Sequence, residues 1–296
     1  MSTIIIITII SLSSIGILAA IILYYAAQKF KVYEDPRIDL VDEALPGANC
    51  GGCGFPGCRG FADALVKADN ISDFYCPVGG NETMSAVAKI LGQEATEKKP
   101  MLAVLLCSGS FEHRPLINSY DGAPNCTIVS NLYSGETGCQ YGCLGLGECV
   151  EVCNFDALYM DIKTGLPVVV SDNCTACGAC VEVCPKDLFE LRPKGKKERR
   201  IFVSCMNKDK GGIAKKSCAV ACIGCGKCEK VCKFDAIIIE NFLAYIDPEK
   251  CKLCRKCVTE CPTGAIHELN FPPRKIKTED KEKQAVEKTT EQKNIN

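Results

Sequence analysis

The sequence predicts an α+β chain built from several small units rather than around one large core. Three observations carry this. The first is an uncharged stretch near the N-terminus, the second is a content of 24 cysteines in 296 residues, and the third is one cysteine run that occurs twice in full. The length leaves room for one large domain or two to three small ones.

The run is Cys174-x2-Cys177-x2-Cys180-x3-Cys184-Pro185, and it returns as Cys251-x2-Cys254-x2-Cys257-x3-Cys261-Pro262. This is the spacing by which bacterial ferredoxins hold [4Fe-4S] clusters. Three thiolates bracket one face of the cubane, and the fourth, one turn further on, reaches a neighbouring cluster. So high a cysteine content otherwise marks a disulfide-stapled secreted scaffold. Loops of two residues cannot give each cysteine its own partner at disulfide geometry. Zinc ribbons use two separated C-x2-C pairs, without a third cysteine two residues later. Iron-sulfur ligation accounts for the spacing.

The stretch from Thr3 to Ala27 carries no charge and is long enough to cross a bilayer as a helix. No basic residue precedes it, as a cleaved signal would require. Lys29, Lys31 and Arg37 follow, diluted by Glu34, Asp35 and Asp39. The positive-inside rule then predicts a single-pass anchor over residues 1–28 in the cell membrane, with the clusters on the cytoplasmic side. Reducing surroundings suit thiolate ligands.

Residues 29–92 read as a small four-Cys domain. Cys50-x2-Cys53-x4-Cys58-x17-Cys76 would hold one [4Fe-4S] cluster, and Gly51, Gly52, Gly54 and Gly57 would let the backbone wrap it closely. Four structural thiols or a zinc knot is the competing reading. Phe61, Ala64, Leu65 and Ala68 recur at helical intervals, and Thr83–Leu91 reads as a closing helix. A polar linker over 93–100 is expected to leave this module free relative to the next.

From Met101–Cys107, a strand ending on a cysteine, the chain duplicates itself. One copy runs Cys126-x12-Cys139-x3-Cys143-x5-Cys149-x3-Cys153. The other runs Cys205-x12-Cys218-x3-Cys222-x2-Cys225-x2-Cys228-x3-Cys232. Each leads into one full run, so residues 101–200 and 201–270 read as two tandem bacterial-type two-cluster ferredoxin-like units. In the second, Cys222, Cys225, Cys228 and Cys261 form one set, and Cys251, Cys254, Cys257 and Cys232 the other. In the first, Cys174, Cys177, Cys180 and Cys153 are complete. Cys143, Cys149 and Cys184 lack a middle ligand because Leu146 stands where Cys225 stands, and Cys139 is the nearest replacement. Cys107, Cys126, Cys205 and Cys218 remain, and could hold a sixth cluster bridging the units or be ordinary buried thiols. Short apolar strands are expected at 167–170, 188–191, 236–240, 242–246 and 265–269, with Gly178 and Gly226 in the cluster-wrapping loops.

His113 and His267, the only histidines, sit in no ligand spacing and read as surface or loop residues. Lys194–Arg200 reads as a basic loop, either solvated or steering an acidic redox partner. Residues 271–296 read as a disordered charged tail. The formal net charge of −1 becomes more negative once anionic clusters are bound, which argues against a nucleic-acid partner. No G-x-G-x-x-G follows a strand, Gly211–Ser217 does not match a P-loop, and the spanning segment holds no intramembrane charge. The expected substrate is therefore an electron, and no catalytic residue is assigned.

Asn49–Cys58, the spacing to Cys76, the preceding apolar helix and the downstream runs resemble the B subunit of the Rnf complex, the ion-translocating ferredoxin:NAD+ oxidoreductase, in its long form with duplicated ferredoxin domains. The resemblance implies exchange of electrons with soluble ferredoxin and relay to a flavin/NADH-handling subunit and integral-membrane subunits. Ion pumping, of Na+ or H+, would belong to the assembly. Leu146 departs from the pattern, as do Asn154 and Lys233 where Pro often follows the fourth cysteine. The alternative is a polyferredoxin subunit of another membrane complex, such as a hydrogenase, which would lack the Asn49–Cys76 module. A third reading is a structural metal-binding protein without redox work.

Overall fold

The computed structural model describes residues 2–29, 34–133 and 135–274. Lys31 and the charged tail from 275 onward lie outside the described residues. The N-terminal stretch forms one helix, α1 (Ser2–Lys29). At 1.5 Å per residue it exceeds the roughly 30 Å of a bilayer's hydrocarbon. Over Ile5–Lys29 the most apolar window has a mean hydropathy of 2.7 and no buried residue. Leu12, Ile15, Leu18 and Leu23 are each more than 60% exposed. Apolar residues on every side of a helix mark a segment that needs an apolar surround.

Three helices follow, α2 (Arg37–Ala44), α3 (Cys58–Lys67) and α4 (Gly80–Leu91). They bury Ile38, Val41, Phe61, Leu65, Met84 and Val87 in one core. Each large apolar side chain so buried contributes about 1.5–3 kcal/mol. The closing helix begins at Gly80, three residues before its expected start, and ends on Gly92 in the left-handed conformation, whose N–H donates to the Ala88 and Lys89 carbonyls.

The segment expected to be a free linker is pinned at both ends. Gln93 Oε1 accepts the Ile71 N–H (3.0 Å), and Asn81 exchanges two hydrogen bonds with the Lys98 backbone (2.9 and 3.0 Å). The Pro100 carbonyl accepts the Lys194 N–H at 2.7 Å. Gln93 and Lys98 serve as anchors, while Glu94, Thr96, Glu97 and Lys99 face solvent.

The two units share one plan. In the first, β1 (Met101–Leu105) pairs antiparallel with β4 (Phe189–Pro193), Met101 opposite Pro193, and β2 (Leu158–Asp161) pairs with β3 (Leu166–Val169). In the second, β5 (Arg200–Val203) pairs with β8 (Ile266–Leu269), and β6 (Ile237–Glu240) with β7 (Leu243–Ile246). Helices α5 (Cys126–Tyr133), α6 (Glu148–Glu151) and α7 (Ala179–Val183) belong to the first unit. Helices α8 (Gly211–Ser217), α9 (Lys227–Val231) and α10 (Lys256–Glu260) belong to the second. His267 lies in β8 opposite Phe202, not in a loop. His113 sits in a turn, its Nδ1 2.6 Å from Ser110 Oγ.

The units join along their outer strand pairs. Phe202 of β5 is buried with Leu102, Val104 and Leu106. The Ser108 N–H and hydroxyl both donate to the Ser204 carbonyl (3.1 Å each), and Ser204 Oγ donates to the Leu105 carbonyl (3.2 Å). This crossing brings the ends of β1 and β5 together, each two residues before a cysteine.

Candidate iron-sulfur sites

All 24 cysteines are free thiols. In the N-terminal domain, Cys53, Cys58 and Cys76 pack against the core, and Cys50 and Cys53 are electrostatic neighbours of Cys76. Asn49 Oδ1 accepts the Cys58 N–H (2.8 Å), fixing the start of α3, and the Gly79 N–H points at Cys76 Sγ (3.3 Å). Phe55, Phe61 and Phe74 form an aromatic wall beside it, with centroids 5.4–6.2 Å apart.

Four small cavities each present four cysteines. One holds Cys153, Cys174, Cys177 and Cys180, and another Cys232, Cys251, Cys254 and Cys257. Cys222, Cys225 and Cys261 gather around Cys228. These three groupings coincide with the spacing argument.

The other two cavities exchange a pair of residues relative to expectation. Cys126, not Cys139, joins Cys143, Cys149 and Cys184. Cys139 joins Cys107, Cys205 and Cys218. The reason is local structure. Cys126 opens α5, which folds back so that the Leu146 and Glu148 N–H groups donate to its sulfur. The α5 start is held by buried Glu148, whose carboxylate accepts from Asn125 and from the Thr127 N–H (3.3 Å). Cys139 instead accepts from Asn207 Nδ2 (3.4 Å), a side chain 1% exposed. Cys205 accepts from the Asn207 and Cys222 N–H groups (3.4 and 3.3 Å).

Helices α6, α7, α9 and α10 present Cys149, Cys180, Cys228 and Cys257, each two residues after a left-handed residue: Gly147, Gly178, Gly226 and Arg255. Glycine adopts that conformation freely, whereas for Arg255 it costs about 1–2 kcal/mol. The Arg255 guanidinium is held by both carboxylate oxygens of Glu268 (2.7 and 2.5 Å) and lies 4.9 Å from the Phe271 ring centre.

The donor chemistry of the cavities fits iron-sulfur groups. Burial, together with neighbouring thiols, pushes Cys143, Cys149, Cys180, Cys205 and Cys257 up to about 12 and Cys228 to about 11. Such thiols become thiolates only against a cationic core, whose binding expels their protons. Among the described residues no three ligating side chains converge tightly enough for a single ion. The sulfurs line walls, as a many-atom group needs. Three arginines, Arg114, Arg192 and Arg200, are 2–6% exposed and keep N–H groups without a partner. Each is an electrostatic neighbour of cysteine sulfur: Arg114 of Cys107, Arg192 of Cys251, Arg200 of Cys174. Buried, incompletely paired cations beside a cavity fit an anionic occupant.

Most of the basic loop at 194–200 is turned inward. Lys194 pairs with Glu198 (2.8 Å), Arg199 lies over Phe271 (5.5 Å) and Arg200 is buried. Of its basic residues, only Lys196 and Lys197 are exposed. The strand β5 lies outside the expected strands; the texts ending at Cys107 and Cys205, read as copies, carry the signal for it.

Comparison with known proteins agrees with this chemistry. A family model described as "Putative Fe-S cluster" matches residues 45–73, and "4Fe-4S dicluster domain" matches 137–188, 173–236 and 221–265. The chain therefore carries multiple [4Fe-4S] clusters. It is 45% identical over 251 residues to the B subunit of the Na(+)-translocating ferredoxin:NAD(+) oxidoreductase complex of Acetobacterium woodii, covering 85% of this chain and 74% of that one. It is 42% identical over 266 residues to the B subunit of the ion-translocating oxidoreductase complex of Methanosarcina acetivorans, covering 90% and 99%. It is 39% identical over 268 residues to the B subunit of the proton-translocating ferredoxin:NAD(+) oxidoreductase complex of Clostridium ljungdahlii, covering 90% and 93%. At such identity over nearly full length, the chain belongs to the family of B subunits of the ion-translocating ferredoxin:NAD+ oxidoreductases, the Rnf complexes.

Proposed function

We propose that the chain is a membrane-anchored wire of six [4Fe-4S] sites, taking electrons from soluble ferredoxin and delivering them to the other subunits of its complex. The ligand sets are the six groups of four cysteines described, with Cys126 completing the third site and Cys139 the fourth. Each group, when bound, accepts and releases one electron at a time. The carrying observation is that neighbouring sets touch in a single line. Cys50 of the N-terminal set is a neighbour of Cys177 in the second, and Cys180 of the second is a neighbour of Cys149 in the third. The Cys143 N–H of the third donates to Cys107 of the fourth, and the Cys222 N–H of the fifth to Cys205 of the fourth. Cys228 of the fifth adjoins Cys257 of the sixth.

One end of the line lies just after α1, which would anchor it in the membrane beside the integral subunits. The other end is open. Cys225 and Cys254, of the fifth and sixth sets, are the only exposed cysteines. Lys227, Lys233, Lys252 and Lys256 around them are exposed, which supports docking of an acidic electron donor. Iron and acid-labile sulfide near 24 each (about four per site) are expected in the full chain. The Lys252→Glu/Lys256→Glu variant should keep its iron while reduction by ferredoxin slows about tenfold or more at low salt, the gap closing at high salt. Equal rates would move electron intake elsewhere.

A further inference from the structure

Arg114 sits at the joint between the two units, where the third and fourth sites meet. It is 3% exposed. One Nη donates to the Cys143 carbonyl, and Nε has no partner. Its Nη1 and Nη2 face Gly142 and Gly145 closely enough that a Cβ at either would lie 3.6 or 3.8 Å away. A Cβ at Gly109 would lie 3.4 Å from Arg114 Cδ, 3.3 Å from Cys218 Sγ and 3.7 Å from Cys107 Sγ. The Arg114 stem and the two sulfurs thus share the space cleared by Gly109, and the guanidinium lies in the space cleared by Gly142 and Gly145. The other two buried arginines differ. Arg192 Nε reaches Glu190 at 2.9 Å, and Arg200 donates to Ser171 Oγ at 3.2 Å with Glu198 as a neighbouring charge. Among the described residues Arg114 forms no ion pair with a carboxylate.

We propose that Arg114 sets the electron affinity of the joint: its unneutralised guanidinium compensates the negative charge gained when an electron occupies the fourth site, and to a lesser degree the third. One electron arrives from the neighbouring site and one leaves to the next. No bond is made or broken and no proton moves, because a guanidinium keeps its charge throughout. Net charge and hydrogen bonding around the sulfurs are the levers that set such potentials. Arg114 thereby raises the electron affinity of the joint above what the same sites would have without its charge. It acts through charge alone, as a positioning residue for the electron.

This rests on the ligand reading, and the two can fail separately. EPR-monitored redox titration of the full-length holoprotein is compared with Cys218→Ala, in which the fourth-site signal and up to four irons (about four per cluster) disappear; no iron loss there sinks the ligand reading. In Arg114→Gln the fourth-site electron affinity should fall at least tenfold, which is about 59 mV for a one-electron couple, with iron retained. Arg114→Lys, which keeps the charge, should hold the wild-type potential. Unchanged potentials in Arg114→Gln, or an equal fall in both variants, overturn the proposal. If Arg114→Gln loses iron, Arg114→Lys decides: a retained potential supports compensation, and a tenfold fall or iron loss makes the role structural.

Discussion

The exchange of Cys126 for a regular middle ligand can be tested by moving the ligand back. Leu146 occupies the position that Cys225 holds in the second unit, and its N–H already donates to Cys126 Sγ. Cys126→Ala removes one of four thiolates from the third site. Iron should fall from about 24 per chain to between about 20 and 23, according to whether the whole group or only one corner is lost. Adding Leu146→Cys places a thiol at the regular C-x2-C-x2-C spacing. Leu146 is only half-buried, so shortening it costs at most about 2 kcal/mol of packing. That is small against the roughly 10 kcal/mol or more that a structural metal site contributes. The double variant should therefore return to about 24 irons. Cys139→Ala should also lose iron, but Leu146→Cys should not restore it. Iron analysis with EPR of the reduced protein reads all four variants. Full iron in Cys126→Ala, or rescue of Cys139→Ala by Leu146→Cys, would refute the assignment.

Two further expectations concern contacts away from the ligands. A Cβ at Gly52 would lie 2.6 Å from the Cys177 carbonyl oxygen and 2.9 Å from its Cα. Both are backbone atoms, so Gly52→Ala must part the N-terminal domain from the first unit; iron should be retained while electron transfer between the first two sites slows, and an unchanged rate in laser-flash reduction would count against the contact. Hydrogen bonding by Arg255, with Arg274 beside it, holds the Glu268 carboxyl down at about 2. A depressed folded-state value contributes stability above the ordinary carboxylate range, and that contribution is lost as pH falls from 4.5 toward 2. Glu268→Gln should lower the thermal midpoint at pH 7, and the gap to wild type should narrow at pH 4. A gap independent of pH would mean that the ion pair contributes nothing.

Legibility followed the range of the interaction. The three regular cysteine groupings in the units could be read because C-x2-C-x2-C fixes geometry within a few residues, and the apolar runs around β1, β3 and β8 showed themselves by content. The hairpin strand β2 and the helix α8 escaped, being short and weakly patterned. The linker and the basic loop are hard to read for one reason: polar residues that contact other parts of the chain look, in sequence, like those that meet water.

What the sequence by itself determined is the chemistry: an apolar helix, four-cysteine sets at ferredoxin spacing, and two copies of one plan. The tertiary structure alone decided which isolated cysteine lies beside which others. Cys126 and Cys139 are equally orphaned in the text, each with its neighbours at irregular spacing. Only the fold of α5 onto the Leu146 loop, and the crossing of β1 with β5 that brings Cys107 to Cys205, separate them. The same crossing seals Arg114 between two sites, because a ligand set assembled from both units has no spacing to betray it.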